Sequence, residues 1–529
     1  MRFQQPYPSR RSPVLADNMV ATSQPLAAQA GVDAMARGGN AVDAALAAAI
    51  ALTVVEPTGN GVGGDAFAIV HDGEQLHGLN ASGRSPGAWT PERFTNYASM
   101  PLRGWESVTT PGAVSAWVTL SERFGALPFA RLFERAIDYA ENGFPVSPVI
   151  ADLWARGAAE LGHQPGFAET FLPGGAPPRP GERFRNAPLA RTLRLIAETR
   201  GEAFYGGELA ERIAAAATEN NAALSVEDLA SHAPEWCGTI HTPYGGLQAH
   251  EIPPNGQGIA ALMALGMLEH TALREVGPDS VAGLHLQIEA MKLALADTHA
   301  HVSDPDTMAV GTAALLDDGY LADRAGLIQP DRAGDPGHGT PRPGGTVYLT
   351  TADAQGRMVS FIQSNYLGFG SGVVVPGTGI SMQGRAGGFS LAEGHPNRVG
   401  PGKRPFHTII PGFLTTADGA ALTSYGVMGG PMQAQGHVQM VVRLADLHED
   451  PQAACDGPRW RVLAGHRVAV EEAMPEAVRA GLAELGHEIT VEAPEAAFGF
   501  GGAQVIHRLA DGGYVAGSDP RKDGQAAGC

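Results

Sequence analysis

Thr346 stands where chain cleavage could create a nucleophile. It follows a run rich in glycine and proline, residues 331–345, and opens a strand pattern, TVYLTTAD. A threonine at a new chain start has its hydroxyl as nucleophile and its own α-amine as base. Such an amine has a reference pKa of about 7.7 to 8.0, so a good fraction is neutral near pH 7. The pattern predicts a zymogen that cuts itself between Gly345 and Thr346; the alternative is an ordinary β-branched strand residue.

Acyl transfer also needs hydrogen-bond donors aimed at the developing oxyanion. Gly429 and Gly430 fit this role, because they lie just before Pro431 at the start of a helical pattern over residues 433–447. The backbone N–H groups at a helix start lack intrahelical partners, and the helix dipole there favours negative charge. The two glycines are therefore predicted to form an oxyanion hole; the alternative is a flexible turn into the helix.

A GxGxxG pattern occurs at Gly59, Gly61 and Gly64. In a dinucleotide-binding unit this pattern follows a strand and opens a helix. Here the predicted order is helix and then strand, so we interpret the glycines as tight backbone turns that line a site. No cofactor is predicted for this chain.

Two further patterns are typical of a serine hydrolase and of a metal site, but the neighbouring residues argue against both. Ser85 lies in a GxSxG pattern, but the next residue is Pro86, which has no N–H to donate to an oxyanion. His299 and His301 are two residues apart in a helical pattern and therefore point to different faces. We expect helix-end packing for this histidine pair and no metal site.

The first half of the chain predicts elements that could hold such a site. Residues 26–37 form a helical pattern, and Asn40 can cap a second helix, with Asp43 completing a capping-box pattern. The segment AALAAAIALTVV is apolar nearly all round, which favours a buried position between two layers. The strands AFAIVHDG and QLHGLNA follow, and residues 113–229 are mainly helical with breaks.

The sequence of the second half predicts an amphipathic helix over residues 281–302. A hairpin that begins at Thr346 is predicted to follow. Its strands, TVYLTTAD and GRMVSFIQS, are joined by a tight turn at residues 354–356. HTIIPGFLTT and ALTSYGVM predict further strands before the helix at 433–447. Helices and antiparallel strands in both halves indicate one four-layer α/β body with helices outside stacked sheets.

The composition indicates a small-molecule partner. The 529 residues carry a formal charge of −19 with no basic tract, which argues against nucleic acid and anionic membranes. Three scattered cysteines indicate neither a disulfide framework nor a CxxC zinc site. The basic N-terminus lacks the apolar core of a signal peptide, and the longest apolar stretch, residues 44–55, is shorter than the roughly 20 residues of a spanning helix. We expect a cytoplasmic protein.

Nine motifs occur in order along the chain. They are RGGNAVDAALAAAIALTVVEP, GNGVGGDAFAIV, SGRSPGA, VTTPGAVSAW, GGTVYLTTAD, FGSGVVVPGTGISM, GPGKRPFHTIIP, GVMGG and GSDPRKDG. Together they resemble the γ-glutamyltransferase family of N-terminal-nucleophile hydrolases. The resemblance implies an αββα sandwich and autocleavage into a large subunit, residues 1–345, and a small subunit, residues 346–529, which remain one globular unit. A homodimer of the processed unit is compatible with the sequence.

The resemblance also implies roles for individual residues. Gly429 and Gly430 match the oxyanion-hole glycines of the family, and Ser364 stands where a second threonine usually contacts the nucleophile. Arg84 matches the arginine that holds the glutamyl α-carboxylate. Val347 and Tyr348 replace the small polar residue and histidine that commonly follow the nucleophile.

The groups that hold the glutamyl α-amine in the family are absent from the matching positions. Its aspartate is Gly388 here, its glutamine is Arg385 and its asparagine is Tyr366, while a serine pair is replaced by His407 and Thr408. An ammonium group facing arginines with no carboxylate would be repelled and poorly solvated. The substitutions predict amide hydrolysis of an acyl group that carries a carboxylate but no α-amine, such as a glutaryl or oxo-acid amide.

Three alternatives remain at this stage. If Arg385 points to solvent and the Tyr366 hydroxyl replaces the lost amide, the chain is a γ-glutamyl hydrolase or transpeptidase acting on glutathione-like compounds. In the second alternative, the chain is a catalytically silent relative that binds a small acid. In the third alternative, it is a serine hydrolase that uses Ser85. The connection between Phe389 and Gly400 is short for the family, which predicts an open pocket and hydrolysis in preference to transfer.

Overall fold

Two seven-stranded sheets form the centre of the protein. The computed structural model describes residues 10–336, 345–493 and 499–529. The strands in these ranges are β1 Val14–Ala16, β2 Met19–Thr22, β3 Asp65–His71, β4 Leu76–Asn80, β5 Phe144–Pro145, β6 Arg183–Phe184, β7 Glu235–Trp236, β8 Ile240–Tyr244, β9 Leu247–Glu251, β10 Gly345–Ala352, β11 Met358–Tyr366, β12 Gly412–Thr416, β13 Ala421–Met428, β14 Trp460–Ala464, β15 Arg467–Glu471, β16 Glu488–Glu492, β17 Gly502–Arg508, β18 Tyr514–Ser518 and β19 Gln525–Gly528.

Helices cover the outer faces of both sheets. They are α1 Pro25–Ala36, α2 Ala41–Val55, α3 Ala113–Phe124, α4 Glu134–Asn142, α5 Pro148–Leu161, α6 Phe167–Phe171, α7 Ala187–Thr199, α8 Glu202–Tyr205, α9 Glu208–Glu219, α10 Val226–Ala230, α11 Gly258–Glu269, α12 Leu273–Val276, α13 Val281–His301, α14 Thr312–Leu315, α15 Asp318–Ala325, α16 Met432–Ala445, α17 Pro451–Asp456 and α18 Glu476–Glu484. None of the described helices is long and apolar enough to cross a membrane.

The first sheet carries the predicted nucleophile, and its strand order is β19-β2-β10-β11-β3-β4-β7. The hairpin β10–β11 lies near its middle, with β2 and β3 antiparallel on either side. The second sheet has the order β1-β18-β17-β13-β12-β9-β8. Apolar side chains of the two sheets meet in a shared core that includes Phe67, Tyr348 and Phe413. This arrangement confirms the predicted αββα sandwich.

The predicted second helix is confirmed as an interior element. Asn40 and Asp43 form the capping box, and all fifteen residues of α2 are buried. α2 packs on β10 and β11 on one side and on α1 and α4 on the other. An apolar helix with no polar stripe is stable only when it is covered on every face, which explains this position.

Two sequence predictions need correction in detail. The helix over residues 281–302 was predicted to be amphipathic, but α13 buries fifteen of its residues, including Lys292 and Glu289, because α11 and α18 flank it. The region 113–229 is divided into the short helices α3 to α10 by glycine, proline and short strands. The hairpin, β12, β13 and α16 lie where the sequence predicts them, and Gly356 takes the left-handed turn position with φ of 87°.

Candidate active site

Thr346 is fully buried near the beginning of β10. The pairing of β10 with β11 shifts register between Gly345 and Val347, so the ladder is irregular at the nucleophile. Irregular pairing is common next to active sites because it redirects a side chain. The predicted scissile bond therefore lies at an interruption of an otherwise regular sheet.

Side chains from two neighbouring elements, β11 and α16, are among the described groups that contact the Thr346 hydroxyl. Ser364 Oγ lies 3.2 Å from Thr346 Oγ1, as the family resemblance predicts for this position. Gln433 Nε2 donates to the same oxygen at 3.2 Å. The backbone N–H of Tyr366 donates to Ser364 Oγ at 2.8 Å and so fixes that hydroxyl in place. The nucleophile is held by groups from three elements: β10, β11 and α16.

Gly429 and Gly430 form the turn from β13 into α16. They lie about one helical turn before Gln433, which contacts Thr346. Their φ angles are 133° and 62°, which residues with a Cβ rarely adopt. The Met432 N–H donates to Gly429 O at 3.3 Å. Since C=O and N–H of a trans peptide point in opposite directions, the Gly430 N–H points away from Met432. This geometry is compatible with the predicted oxyanion role.

Gln257 fixes the other side of this turn. Its Nε2 donates to Gly430 O at 2.9 Å and to Thr408 O at 2.6 Å. One buried amide thus joins the glycine turn to the segment that carries the predicted substrate residues His407 and Thr408. Both regions are held in a fixed relation to Thr346.

Val347 and Tyr348, which depart from the family pattern, have packing roles. Both are fully buried, and the Tyr348 hydroxyl lies 2.7 Å from Ser360 Oγ. The Tyr348 ring occupies the space above Gly426 of β13, where a Cβ would come within 2.4 Å of it. A tyrosine fits after the nucleophile because the facing strand has a glycine at this point.

Arg385 lies in the interior of the protein, beside Tyr366 and Thr408. It is 1% exposed, its Nη1 donates to Thr408 Oγ1 at 3.0 Å, and its Cζ lies 5.1 Å from the centre of the Tyr366 ring. Its Nε and Nη2 have no hydrogen-bond partner among the described residues. Burial lowers the pKa of the guanidinium to about 10, against the opposing attraction of Asp65. The alternative in which Arg385 points to solvent is wrong.

His407 is paired with Asp65, a carboxylate that the sequence analysis did not identify. His407 Nε2 lies 3.1 Å from Asp65 Oδ2, and both side chains are fully buried. The Ile409 N–H donates to His407 Nδ1 at 3.4 Å, so Nε2 carries the proton and donates to Asp65. Burial lowers the pKa of His407 well below its ordinary value, and the Arg385 and Arg404 charges add to this effect.

Asp65 is the first residue of β3 and lies beside Ser364. Both of its carboxylate oxygens have hydrogen-bond partners. Its Oδ1 accepts the N–H groups of Gly83 at 3.3 Å and Gly112 at 3.1 Å, and its Oδ2 faces His407. Burial raises the pKa of this carboxyl to about 7, although the charge of Arg385 opposes the shift. The site therefore combines a buried guanidinium with a carboxyl group that titrates near neutrality.

Arg84 is placed differently from Arg385. Its Nη1 bonds Asp304 Oδ2 at 2.9 Å and Gly402 O at 3.0 Å, and its side chain is 42% exposed. It lines a cavity of about 630 Å³ with neighbours that include Arg404, His232 and Trp236. The carboxylate-binding role predicted for Arg84 stays a prediction, because in this structure the guanidinium is engaged by Asp304.

The rejected motifs have structural roles. Residues 59–64 connect α2 to β3, so the order is helix then strand, and a Cβ on Gly64 would come within 2.9 Å of Ser364 O. Ser85 Oγ donates to Gly400 O and accepts from the Lys403 N–H, which leaves it buried in a loop junction. The His299 ring packs on Phe406 at the end of α13. These contacts agree with the interpretations given from sequence.

A buried trio of possible metal ligands lies elsewhere in the described structure, at His285, Glu289 and His487. Lys292 Nζ already bonds Glu289 Oε1 at 2.8 Å, and His285 Nδ1 bonds His487 Nε2 at 2.8 Å. These contacts already engage all three residues, although His487 Nδ1 has no hydrogen-bond partner among the described residues. Lys292 and Glu289 also bond the backbone of Gly334, close to the start of the predicted linker.

Three site residues were missed from sequence: Asp65, Gln257 and Gln433. Asp65 directly follows the GxGxxG pattern, which was judged only for its turns. Gln257 lies outside the predicted patterns, and Gln433 opens a helical pattern that gave no chemical signal. Gln433 stands three residues after Gly430, and this short distance from the predicted oxyanion turn indicates its position but not its contact with Thr346.

Comparisons with known proteins agree with this geometry. The family model described as gamma-glutamyltranspeptidase matches residues 27–529. The oxamate amidohydrolase proenzyme of Klebsiella pneumoniae is 36% identical over 98% of this chain and 99% of its own length. The glutathione hydrolase-like YwrD proenzyme of Bacillus subtilis is 35% identical over 96% of this chain and 98% of its own length.

A solved structure gives the same result. The cephalosporin acylase of Bacillus halodurans superposes with a TM-score of 0.95 at 48% identity, and the match covers 100% of this chain and 99% of the acylase. The fold and the enzyme type predicted from sequence are therefore confirmed. The chain belongs to the γ-glutamyltranspeptidase family of N-terminal-nucleophile amide hydrolases and acyltransferases.

Proposed function

We propose that this chain is an autoprocessed amidohydrolase whose acyl substrate carries a carboxylate and no α-amine, such as a glutaryl amide or a short oxo-acid amide. Cleavage before Thr346 gives subunits of residues 1–345 and 346–529. The Thr346 hydroxyl attacks the substrate carbonyl, the α-amine takes the proton, and the amine product leaves. Water then releases the acid from the acyl-enzyme.

The observation that carries the proposal is the buried guanidinium of Arg385. Its Nε and Nη2 have no acceptor among the described residues, while Nη1 is held by Thr408. An unpaired buried charge is costly, and a carboxylate supplies the acceptors that a guanidinium matches best. Arg385 is linked to the nucleophile through Tyr366 and Ser364, so a carboxylate bound there belongs to the acyl group.

The surroundings of Gly388 oppose recognition of an α-amine. The family resemblance places an amine-binding aspartate at this position, but a Cβ on Gly388 would lie 2.3 Å from Phe406 O. The backbone therefore leaves no room for a side chain there. Asp65 is a nearby carboxylate, but both of its oxygens already accept hydrogen bonds.

Names of relatives support the same substrate class. An oxamate amidohydrolase and a cephalosporin acylase are among the proteins to which this chain is most similar over its full length. In the connection between Phe389 and Gly400, Phe389 and Val399 pack in one cluster with Trp89 and Phe94. A short packed connection favours access of water to the acyl-enzyme, and hence hydrolysis over transfer.

A direct comparison of two chromogenic amides tests this proposal. We expect the processed enzyme to hydrolyse glutaryl-p-nitroanilide with a higher kcat/KM than γ-glutamyl-p-nitroanilide, because the two acyl groups differ only in the α-amine. Product analysis in the presence of glycylglycine checks that the acid, not a transfer product, accumulates. A clear preference for the γ-glutamyl compound would overturn the proposal.

A γ-glutamyl hydrolase acting on glutathione-like compounds is the second candidate. Asp65 favours this candidate, because an anionic carboxylate near Arg385 reduces the repulsion between the guanidinium and the α-ammonium group of a γ-glutamyl substrate. Similarity to a protein named glutathione hydrolase-like also supports it. The same pair of anilides separates the two candidates.

A further inference from the structure

The side-chain amide of Gln433 is oriented unambiguously toward the nucleophile. The Ile410 N–H donates to Gln433 Oε1 at 3.1 Å, and a backbone N–H can only donate. The other end of the amide is therefore the NH₂ group, and it donates to Thr346 Oγ1 at 3.2 Å. Gln433 is fully buried, so this donor has a fixed position.

Gln433 also belongs to the same turn as the predicted oxyanion hole. Its backbone N–H donates to Gly430 O at 3.1 Å, and Gly430 O accepts in addition from Gln257 Nε2. The side chain of Gln433 thus extends from the helix start that carries Gly429 and Gly430. One helix start thus carries both the donor to Thr346 Oγ1 and the two glycines that are predicted to face the substrate carbonyl.

We propose that Gln433 is a further catalytic residue, whose amide N–H stabilises negative charge on Thr346 Oγ1 whenever that oxygen has no proton. This inference rests on Thr346 being the nucleophile of the proposed amidohydrolase, but it is independent of the acyl group. A hydrogen bond to an oxygen strengthens as that oxygen becomes anionic, so the donor acts more strongly on the transition state than on the resting hydroxyl.

The donor serves two steps of one cycle. During acylation, Oγ1 loses its proton to the base and forms a bond to the carbonyl carbon, and the C–N bond then breaks as the amine takes a proton. During deacylation, water adds to the acyl carbon, the C–Oγ1 bond breaks, and Oγ1 leaves as an alkoxide that regains a proton. The same two steps convert the Gly345–Thr346 peptide into free termini during maturation.

Gln433→Met tests the inference, since methionine keeps the length of the side chain and removes the donor. Gln435→Met is the matched control, because Gln435 lies on α16, is equally buried, and its side-chain amide bonds the backbone of Val462 in the described structure. Gln433→Glu is a second variant, which keeps the shape but replaces the donor by an acceptor. Maturation of purified precursor, melting temperature and p-nitroaniline release are measured for all three.

We expect both Gln433 variants to mature slower and to turn over slower by on the order of a hundredfold, the typical effect of one lost donor to a developing anion. Gln435→Met should behave like the wild type. If the wild-type enzyme hydrolyses γ-glutamyl-p-nitroanilide and not glutaryl-p-nitroanilide, the same measurements are made with the γ-glutamyl compound. The test of Gln433 therefore remains valid even if the proposed substrate class is wrong.

Two results would overturn the inference. In one, a well-folded Gln433→Met matures and turns over at the wild-type rate. In the other, Gln435→Met is impaired as strongly as Gln433→Met, which would show that any buried amide on α16 matters for packing alone. Failure of Gln433→Met to mature, with a normal melting temperature and a normal control, supports the inference through the maturation step.

Discussion

At the scale of single residues, we propose that Arg385 selects the acyl group that is bound. Its guanidinium is buried and has two nitrogens without acceptors among the described residues. We expect Arg385→Gln to lower kcat/KM for glutaryl-p-nitroanilide by roughly 30-fold or more, since loss of one partner of a buried charge pair costs about 2 to 5 kcal/mol. Steady-state kinetics of the two anilides measures the change.

Arg84→Gln is the control for this experiment. Arg84 is half-exposed and bonded to Asp304, so we expect its loss to change the glutaryl reaction far less than the loss of Arg385. If Arg84→Gln removes activity and Arg385→Gln does not, the carboxylate is bound by Arg84, as the family resemblance suggested, and the assignment to Arg385 is wrong.

Asp65 is predicted to make the binding of an anionic ligand depend on pH. Burial raises its pKa to about 7, so it is mostly neutral below that pH and anionic above it. The anion opposes the charge of Arg385, and we expect glutarate affinity to fall by about tenfold between about pH 6 and about pH 8. Calorimetric titration measures this.

Asp65→Asn isolates this contribution from that of the Thr346 amine, which titrates in the same range. The amide still accepts from His407, but it carries no charge at either pH. The affinity of the variant should therefore change less with pH than that of the wild type. Equal pH dependence in both proteins would show that Asp65 does not titrate in this range.

The sequence predicted those site residues whose role follows from local context. Thr346 follows a distinctive linker, and Gly429 and Gly430 stand at a helix start, so both could be identified without the fold. Asp65 and Gln433 could not be assigned, because their roles depend on contacts with residues hundreds or tens of positions away, at His407 and Thr346. Burial of Arg385 likewise follows only from tertiary packing.

At the scale of elements, the fit between β10 and β13 sets the position of the nucleophile. A Cβ on Gly426 would lie 2.4 Å from the Tyr348 ring, two residues after Thr346. We expect Gly426→Ala to destabilise the protein by about 1 to 3 kcal/mol and to slow self-cleavage, because the added methyl pushes β10 away. Melting temperature and the rate of precursor loss on gels measure both effects.

Gly400→Ala is a suitable comparison, since a Cβ at Gly400 meets no atom within 4 Å. It should keep the wild-type melting temperature and cleavage rate. An unchanged Gly426→Ala protein would mean that the strands adjust freely and that packing of Tyr348 does not position the nucleophile.

Elements with strong local signals were predicted well. The capping box at Asn40 and Asp43 defined the start of α2, and the turn at Gly356 defined the hairpin. α13 was misjudged because its charged residues suggested an exposed face. In the structure Lys292 and Glu289 neutralise each other inside the protein, a contact that periodicity alone does not reveal.

At the scale of the whole molecule, each of the two large sheets contains strands from both predicted subunits. β2 of the large subunit pairs with β10 and β19 of the small subunit, and β1 pairs with β18. We expect the cleaved chains to elute together in size-exclusion chromatography and to separate only in denaturant, because cleavage breaks one peptide bond and no strand pairing. Separate elution under native conditions would contradict this arrangement.

The most direct test of the account is the N-terminal sequence and intact mass of fully active enzyme, with Thr346→Ala as the comparison. The account predicts two chains in the active protein, one of which starts at Thr346, and a single inactive chain in the variant. Active protein that consists only of one uncut chain, or an active Thr346→Ala variant, would contradict the central claim that Thr346 is the nucleophile.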